Sequence, residues 1–113
     1  MEIPEPIKAD IEKAGGLENI GSSIPDDDEI SSRTRAYKAL SDPIRLKIML
    51  ILDVQPLCVC CIKELIDVSD SKLSYHLYLL KGSGLIEGRQ EKNWIIYRPT
   101  GKGREVISED QHC

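Results

Sequence analysis

The chain of 113 residues contains no phenylalanine, one tryptophan and four tyrosines, so its core must be built from leucine, isoleucine and valine. It also lacks an apolar run near the ~18 residues that a membrane-spanning helix needs. Its opening residues, MEIPEPIKAD, are acidic and interrupted by prolines, which is not the pattern of a secretory signal peptide. These absences favour a cytoplasmic protein with one domain and one modest core.

Positive charge is scarce as well, because the net charge is −4. This balance argues at first against a nucleic-acid partner. Its distribution weakens that argument, since residues 1–29 carry nine acids and two bases, whereas residues 30–113 carry ten acids and thirteen bases. We therefore predict an acidic, largely flexible segment over residues 1–29, with a role in a dimer interface as the alternative, and a folded, mildly basic domain over residues 30–110.

The folded part begins with a pattern of helices. Residues 29–40 suit a helix, and residues 43–52 predict a second one that is apolar nearly all round and therefore central to the core. Pro43 suits the first turn of this second helix, with Ser41 or Asp42 as its cap. Residues 57–60 are extended in character, and a short third helix is predicted over residues 61–66.

A fourth helix is predicted over residues 71–81, after a polar turn at residues 67–70. Leu73, Leu77 and Leu80 have the spacing of a buried stripe, and the residues between them are mostly hydrogen-bond donors. Gly82 and Gly84 then end the helix. Two short helices joined by a tight turn form a helix-turn-helix. A helix with one buried side and one side rich in donors is suited to the major groove of DNA.

After Gly84 the pattern alternates with a period of two, which predicts strands over residues 85–89 and 94–98 with a turn at residues 90–93. Such a hairpin is the wing of a winged helix. Thr100 is expected to open a last helix over about residues 102–109. The predicted fold class is therefore mostly α with a small β-hairpin, a winged helix-turn-helix of about five helices and a two-stranded wing.

The four cysteines lie at positions 58, 60, 61 and 113. Three of them within four residues do not make a disulfide framework. In an extended stretch Cys58 and Cys60 point the same way, so their thiolates are able to share a soft ion. Cys61 would follow at a helix N-terminus, where the pKa of a thiol is lowered. Three interpretations remain open: a metal or metalloid site, a redox switch between Cys58 and Cys61, and small buried hydrophobic residues.

With these residues in view, the chain resembles the ArsR/SmtB family of winged-helix repressors over roughly residues 33–108. The resemblance rests on four stretches in order: KALSDPIRLKIMLIL (38–52), LCVCCIKEL (57–65), SDSKLSYHLYLLKGSGLI (69–86) and WIIYRP (94–99). It implies a homodimer that packs its terminal helices at the dimer interface, reads a palindromic operator in double-stranded DNA and is released by an inducer. No cofactor would be needed for DNA binding.

The resemblance also assigns roles to single residues. The recognition helix would be residues 71–81, and its groove-facing candidates are Ser71, Lys72, Ser74, Tyr75 and His76. His76 has an alternative role, which is to fix the helix by a hydrogen bond to a neighbour. In the wing, Arg89 and Lys92 would lie at the minor groove or its phosphates, or else would simply be solvated. We expect Arg45 and Lys47 to be surface charges, Trp94 and Tyr97 to be core residues, and Tyr75 and Tyr78 either to face DNA or to pack half-buried.

LCVC resembles the family's third-helix site for arsenite, or for cadmium and lead. In the arsenite motif CVCxxC the third cysteine would fall at Lys63, whereas this chain has Cys61, two residues earlier. Cys61 or Cys113 would then complete a site with Cys58 and Cys60. The family's zinc site on the last helix is not expected, because only Asp110 and His112 are available there.

Two other classes of protein share part of this sequence pattern. A thiol oxidoreductase should have a thioredoxin-like βαβ pattern, which is missing, so we do not expect an enzyme. A winged-helix protein-interaction module would keep the fold and lose DNA binding.

Overall fold

The computed structural model describes residues 1–110, which contain seven helices and three strands. The chain divides into two compact units, Met1–Ser31 and Ser32–Cys113. The predicted winged helix-turn-helix is confirmed, with two more helices and one more strand than expected. In chain order the elements are α1 (Glu5–Lys13), α2 (Leu17–Ser22), α3 (Asp27–Leu40), α4 (Pro43–Val54), β1 (Leu57–Cys58), α5 (Val59–Leu65), α6 (Asp70–Gly82), β2 (Ile86–Glu91), β3 (Trp94–Pro99) and α7 (Gly101–Asp110).

The first unit contains the two helices that the sequence did not clearly indicate. α1 starts just after Pro4, and α2 is separated from it by Gly15 and Gly16, whose φ angles of 92° and 91° lie in the region that favours glycine. Neither helix buries a residue. Helical structure without burial gives this unit little to stabilise it. The flexibility of residues 1–29 therefore stays a prediction.

α4 is the centre of the second unit. Asp42 caps it as expected, because its carboxylate accepts hydrogen bonds from the amides of Ile44 at 2.8 Å and Arg45 at 3.2 Å. Ile48, Met49 and Leu52 on this helix are at most 1% exposed. α4 packs against α6, α7 and β3, so it supports both the second helix of the helix-turn-helix and the wing.

α6 has the buried stripe that its leucine spacing predicts. Leu73, Leu77 and Leu80 are all buried, and the hydroxyl of Ser69 caps the helix by accepting from the amide of Lys72. The chain leaves α6 through Gly84, whose φ is +74°. Gly82 is still helical, so Gly84 alone provides the left-handed turn that ends the helix.

The sheet has three strands in the order β1-β3-β2, all antiparallel, and not the two strands expected. β1 pairs Cys58 with Ile96 on the far edge of β3, and two residues are too short to show an alternating pattern. The predicted extended stretch over residues 57–60 is wrong beyond Cys58, because α5 already begins at Val59. The wing turn is shorter than predicted, since β2 continues to Glu91.

Of the two aromatic residues predicted to lie in the core, Tyr97 is buried at 8% exposure, whereas Trp94 is 51% exposed. Trp94 starts β3 at the wing turn, beyond the end of β1, so no strand covers it on that side. Within residues 1–110 no helix is both long enough and apolar enough to cross a membrane.

Candidate functional site

The side of α6 away from the core carries a continuous set of polar and aromatic side chains. Tyr75 and Tyr78 are 57% and 67% exposed, so neither is half-buried packing. We call this surface the donor face. It consists of exposed residues at the start and the middle of the helix, and its members are Ser71, Lys72, Ser74, Tyr75 and Tyr78.

His76 does not lie on the donor face. It is 8% exposed, and its Nδ1 accepts a hydrogen bond of 3.2 Å from Nη1 of Arg45. A guanidinium only donates hydrogen bonds, so Nδ1 of the imidazole is the acceptor in this contact. The geometry disfavours a groove-facing His76 and fits the alternative role, in which the imidazole fixes the helix.

Arg45 is the other half of this contact, and its prediction as a surface charge is wrong. Its Nε donates to the carbonyl oxygen of Ala39 at 2.6 Å, and the residue is half-buried. Arg45 therefore joins the end of α3 to α6 from its place on α4.

Arg89 and Lys92 are exposed on the wing, as expected. Lys92 has a φ of 55°, and its carbonyl accepts from the side-chain amide of Gln90 at 2.8 Å, which closes the turn. Glu91 lies 3.9 Å from the guanidinium of Arg98. The wing therefore carries both acidic and basic side chains. Arg89 and Lys92 are not part of the pair of Glu91 with Arg98.

The three neighbouring cysteines meet at the junction of β1 and α5. Sγ of Cys58 lies 2.8 Å from Sγ of Cys60 and 3.6 Å from Sγ of Cys61. We call these three residues the thiol cluster, and their sulfur atoms all lie within 4.8 Å of one another. Cys58 is the residue just before α5, and the first turn of the helix brings the other two cysteines back toward it. Cys113 lies outside the described residues.

These separations suit a soft ion. A tetrahedral ion with metal–sulfur bonds of about 2.3 Å places its thiolates roughly 3.8 Å apart. Small rotations about χ1 of exposed side chains take the cluster to such a geometry. Cys60 and Cys61 are exposed and Cys58 is half-buried, so the interpretation as buried hydrophobic residues does not fit.

The cluster favours one thiolate among its three sulfurs. Hydrogen bonds from the Cys60 thiol, and then from the backbone amide and the thiol of Cys61, lower the pKa of Cys58 to about 7. The pKa values of Cys60 and Cys61 are raised, in both cases mainly because each thiol is hydrogen-bonded to Cys58. Near neutral pH the cluster therefore offers one nucleophilic thiolate, that of Cys58. The other two sulfurs remain thiols, which become ligands or reaction partners after Cys58 has reacted.

This order of ionisation predicts a pH dependence. Alkylation of Cys58 by iodoacetamide should reach half its maximal rate near pH 7, about two pH units below an ordinary thiol of pKa 9.0, because only the thiolate reacts. Lowering the pH through 7 protonates Cys58 and slows the reaction. Mass spectrometry of the modified peptide measures the rate. In Cys60→Ser the midpoint should rise, and an unchanged midpoint would contradict the assigned cause.

The comparisons with known proteins agree on one family. The model described as "Bacterial regulatory protein, arsR family" matches residues 42–87. A transcriptional regulator of the helix-turn-helix type from Methanocaldococcus jannaschii is 36% identical over 62 residues, covering 54% of this chain and 70% of that protein. The chain belongs to the ArsR family.

Two ArsR-family relatives have more specific names. The arsenical resistance operon repressor of Escherichia coli (strain K12) is 43% identical over 63 residues, which cover 55% of this chain and 54% of that protein. The cadmium resistance regulatory protein CadC homolog of Staphylococcus aureus is 39% identical over 64 residues, covering 56% and 53%. The matched part thus spans about half the length of these relatives.

Solved structures show the same fold. HlyU from Vibrio cholerae superimposes with a TM-score of 0.70 at 24% identity, covering 77% of this chain and 96% of that one. The homodimeric winged helix-turn-helix domain of Mb0332 from Mycobacterium bovis gives 0.69 at 26% identity, covering 77% and 84%. The relatives are transcriptional regulators, so the expectation that this chain is not an enzyme is confirmed by its family.

In this ArsR-family chain a charged contact joins α5, which carries two cysteines of the thiol cluster, to α6. The ammonium of Lys63 on α5 pairs with the carboxylate of Asp70, the first residue of α6. Lys63 lies three residues after Cys60, on the same side of the helix. The sequence indicates Lys63 only as the place of a missing cysteine, because its partner Asp70 lies on the next helix, across the turn.

Proposed function

We propose that this chain is a homodimeric transcriptional repressor that binds an operator in DNA and is released when the thiol cluster reacts with a thiophilic ion. One observation carries the proposal: three converging thiols lie one helix before an exposed donor face, and Lys63 and Asp70 join the two helices. ArsR-family membership supports it.

In this proposal the donor face contacts the major groove of the operator. Donors near the start of a recognition helix reach base edges and phosphates of the major groove. We assign Ser71, Lys72, Ser74 and Tyr75 to this contact, and we leave His76 out because of its hydrogen bond to Arg45. Arg89 and Lys92 on the wing would contact adjacent phosphates or the minor groove.

The homodimer is supported by the homodimeric domain from Mycobacterium bovis. A two-fold dimer presents two donor faces and therefore reads an operator with two-fold symmetry. Such a repressor acts where the chromosome is, which is the cytoplasm in a bacterial or archaeal cell. The helices of residues 1–29 receive no role in this proposal.

Arsenite, cadmium and lead are the effectors we propose to test first. Arsenical and cadmium resistance regulators are among the relatives, and thiolates prefer soft ions of this kind. Cys61 stands two residues before the third position of the arsenite motif, yet its sulfur lies 3.6 Å from that of Cys58. The displaced cysteine is therefore near enough to serve as the third ligand.

A redox switch is the second candidate. This switch would pair Cys58 with Cys61. The separation of 3.6 Å between their sulfur atoms and the Cys58 pKa of about 7 both favour attack on an oxidant such as a peroxide, followed by closure of the disulfide. Disulfide formation would give up two electrons and two protons to the peroxide, which leaves as water. Parallel DNA-release assays with arsenite, antimonite, cadmium, lead, zinc and a disulfide oxidant separate the two candidates.

The DNA-binding part is tested by titrating labelled upstream DNA at two salt concentrations. Lys72→Ala should weaken binding of the homodimer about tenfold and lower the slope of log K against log salt by about 2, because each of its two subunits loses one phosphate contact. Unfolding by urea should be unchanged, since Lys72 is exposed.

Lys47→Ala is the matched control, because Lys47 is an exposed lysine of α4. It should change neither affinity nor salt slope. If no duplex shows salt-dependent binding by the unmodified chain, the repressor proposal fails and a protein-interaction module takes its place.

A further inference from the structure

An open cavity of about 510 Å³ adjoins the thiol cluster. Its shape follows from the sheet register. Cys58 pairs with Ile96, so Ile95 and Trp94 continue past the end of β1, where the chain turns into the first turn of α5. The wing thus supplies one wall of the cavity, and α5 supplies the other with Val59 and Cys60.

The wall beside the sulfur atoms is apolar and open to solvent. Trp94, Ile95 and Val59 are 51%, 44% and 39% exposed. Lys63, Asp70 and Asn93 form the polar rim. Exposed apolar side chains beside reactive groups mark a binding site in which an apolar part of a ligand covers those side chains.

The cavity is larger than a bare ion requires, and its apolar lining has no contact to make with such an ion. A water molecule takes about 30 Å³, and organic ligands commonly occupy pockets of roughly 300–1,000 Å³. A bare arsenite or cadmium ion contacts only sulfur and leaves the apolar wall uncovered. Two thiols, those of Cys58 and Cys60, line the cavity, whereas Cys61 is outside its lining.

We propose that the preferred effector is a trivalent arsenical with one apolar substituent, bound by Cys58 and Cys60 with the substituent against Trp94 and Ile95. This inference rests on the proposed function, because it names the effector of the same thiol cluster. Two thiols and one apolar wall correspond to two exchangeable bonds and one carbon substituent on arsenic.

The reaction is a ligand exchange without a redox change. A mono-substituted arsonous acid has one As–C bond and two As–OH bonds. Two As–S bonds form to Cys58 and Cys60 while the two As–O bonds break. The two thiol protons leave with the two oxygens as water, and arsenic stays trivalent. The low pKa of Cys58 assists the first bond.

The first test counts thiols on the full chain without DNA. One equivalent of hydrated phenylarsine oxide should protect two of the four thiols from a colorimetric thiol reagent, whereas arsenite should protect three. Quenching of Trp94, the chain's single tryptophan, should accompany binding of the aryl compound. Protection of three thiols by both compounds, or no quenching, would overturn the proposal.

The second test uses variants in competition with a small dithiol chelator. Trp94→Ala should weaken phenylarsine oxide binding about tenfold, the effect of uncovering roughly 55 Å² of apolar surface, and should change arsenite binding less than twofold. Cys61→Ser should weaken arsenite more than tenfold and the aryl compound less than twofold. Equal changes for the two compounds in either variant would contradict the inference.

Tyr37→Ala is the matched control, because Tyr37 is an exposed aromatic of α3 outside the cavity lining, and both affinities should stay unchanged. Because these tests use no DNA, they are independent of the repressor proposal. Binding of the aryl arsenical without any operator binding would contradict the repressor proposal and support the proposed effector. Release from the operator with no stronger response to the aryl arsenical than to arsenite would support the repressor proposal and contradict the proposed effector.

Discussion

Serine at both positions 58 and 60 should leave operator affinity within about twofold of the unmodified chain and abolish its release by thiophilic ions. Both cysteines lie at the start of α5 and neither belongs to the donor face of α6, so the DNA contacts assigned to that face remain. Serine keeps the size of the side chain but offers a hard hydroxyl that soft ions do not prefer.

The expected effect is large because release is a coupling between two sites. An effector releases the repressor only if it binds the DNA-incompetent conformation more tightly. About 2.7 kcal/mol of coupling lowers operator affinity a hundredfold, and the double variant should lose all of it. The surface contact of Lys63 with Asp70 joins α5 to the start of α6.

Fluorescence anisotropy of labelled operator DNA, with and without each effector, measures both quantities. Cys113→Ser is the control that removes a thiol outside the cluster, and it should keep the full hundredfold release. A double variant that still responds to every ion and oxidant would place the sensor elsewhere in the chain.

The parts of the fold that were predicted correctly depend on neighbours in sequence. The leucine stripe of α6, the cap at Asp42 and the turn at Gly84 each need only a few consecutive residues. The helix-turn-helix is built from such local signals. The predicted groove-facing residues are exposed with one exception, His76, which is buried.

The errors come from partners distant in sequence. His76 and Arg45 are 31 residues apart, and nothing near either residue indicates that they meet. Likewise β1 exists because β3 offers an edge to two residues about forty positions earlier. The convergence of Cys58 and Cys60 was expected for the wrong reason, since it comes from the first turn of α5 and not from an extended strand.

Alanine at position 103 should destabilise the domain by about 2–3 kcal/mol, the range of a severe overpacking change. Gly103 is buried in α7, and an added Cβ would lie 2.2 Å from the carbonyl oxygen of Leu85 and 3.0 Å from Cε of Met49. The methionine is flexible, but the Leu85 carbonyl is backbone and already accepts from the amide of Thr100. α7 must therefore move away from the start of the wing.

Gly101→Ala provides the matched control on the same helix, because nothing lies within 4 Å of its added Cβ. It should stabilise the domain by roughly 0.5 kcal/mol, since alanine restricts the unfolded chain and favours the helix. Urea denaturation followed by circular dichroism measures both changes. The opposite signs separate the close approach at Leu85 from helix propensity, which acts alike at both positions. Equal shifts in the two variants would mean that α7 does not depend on that approach.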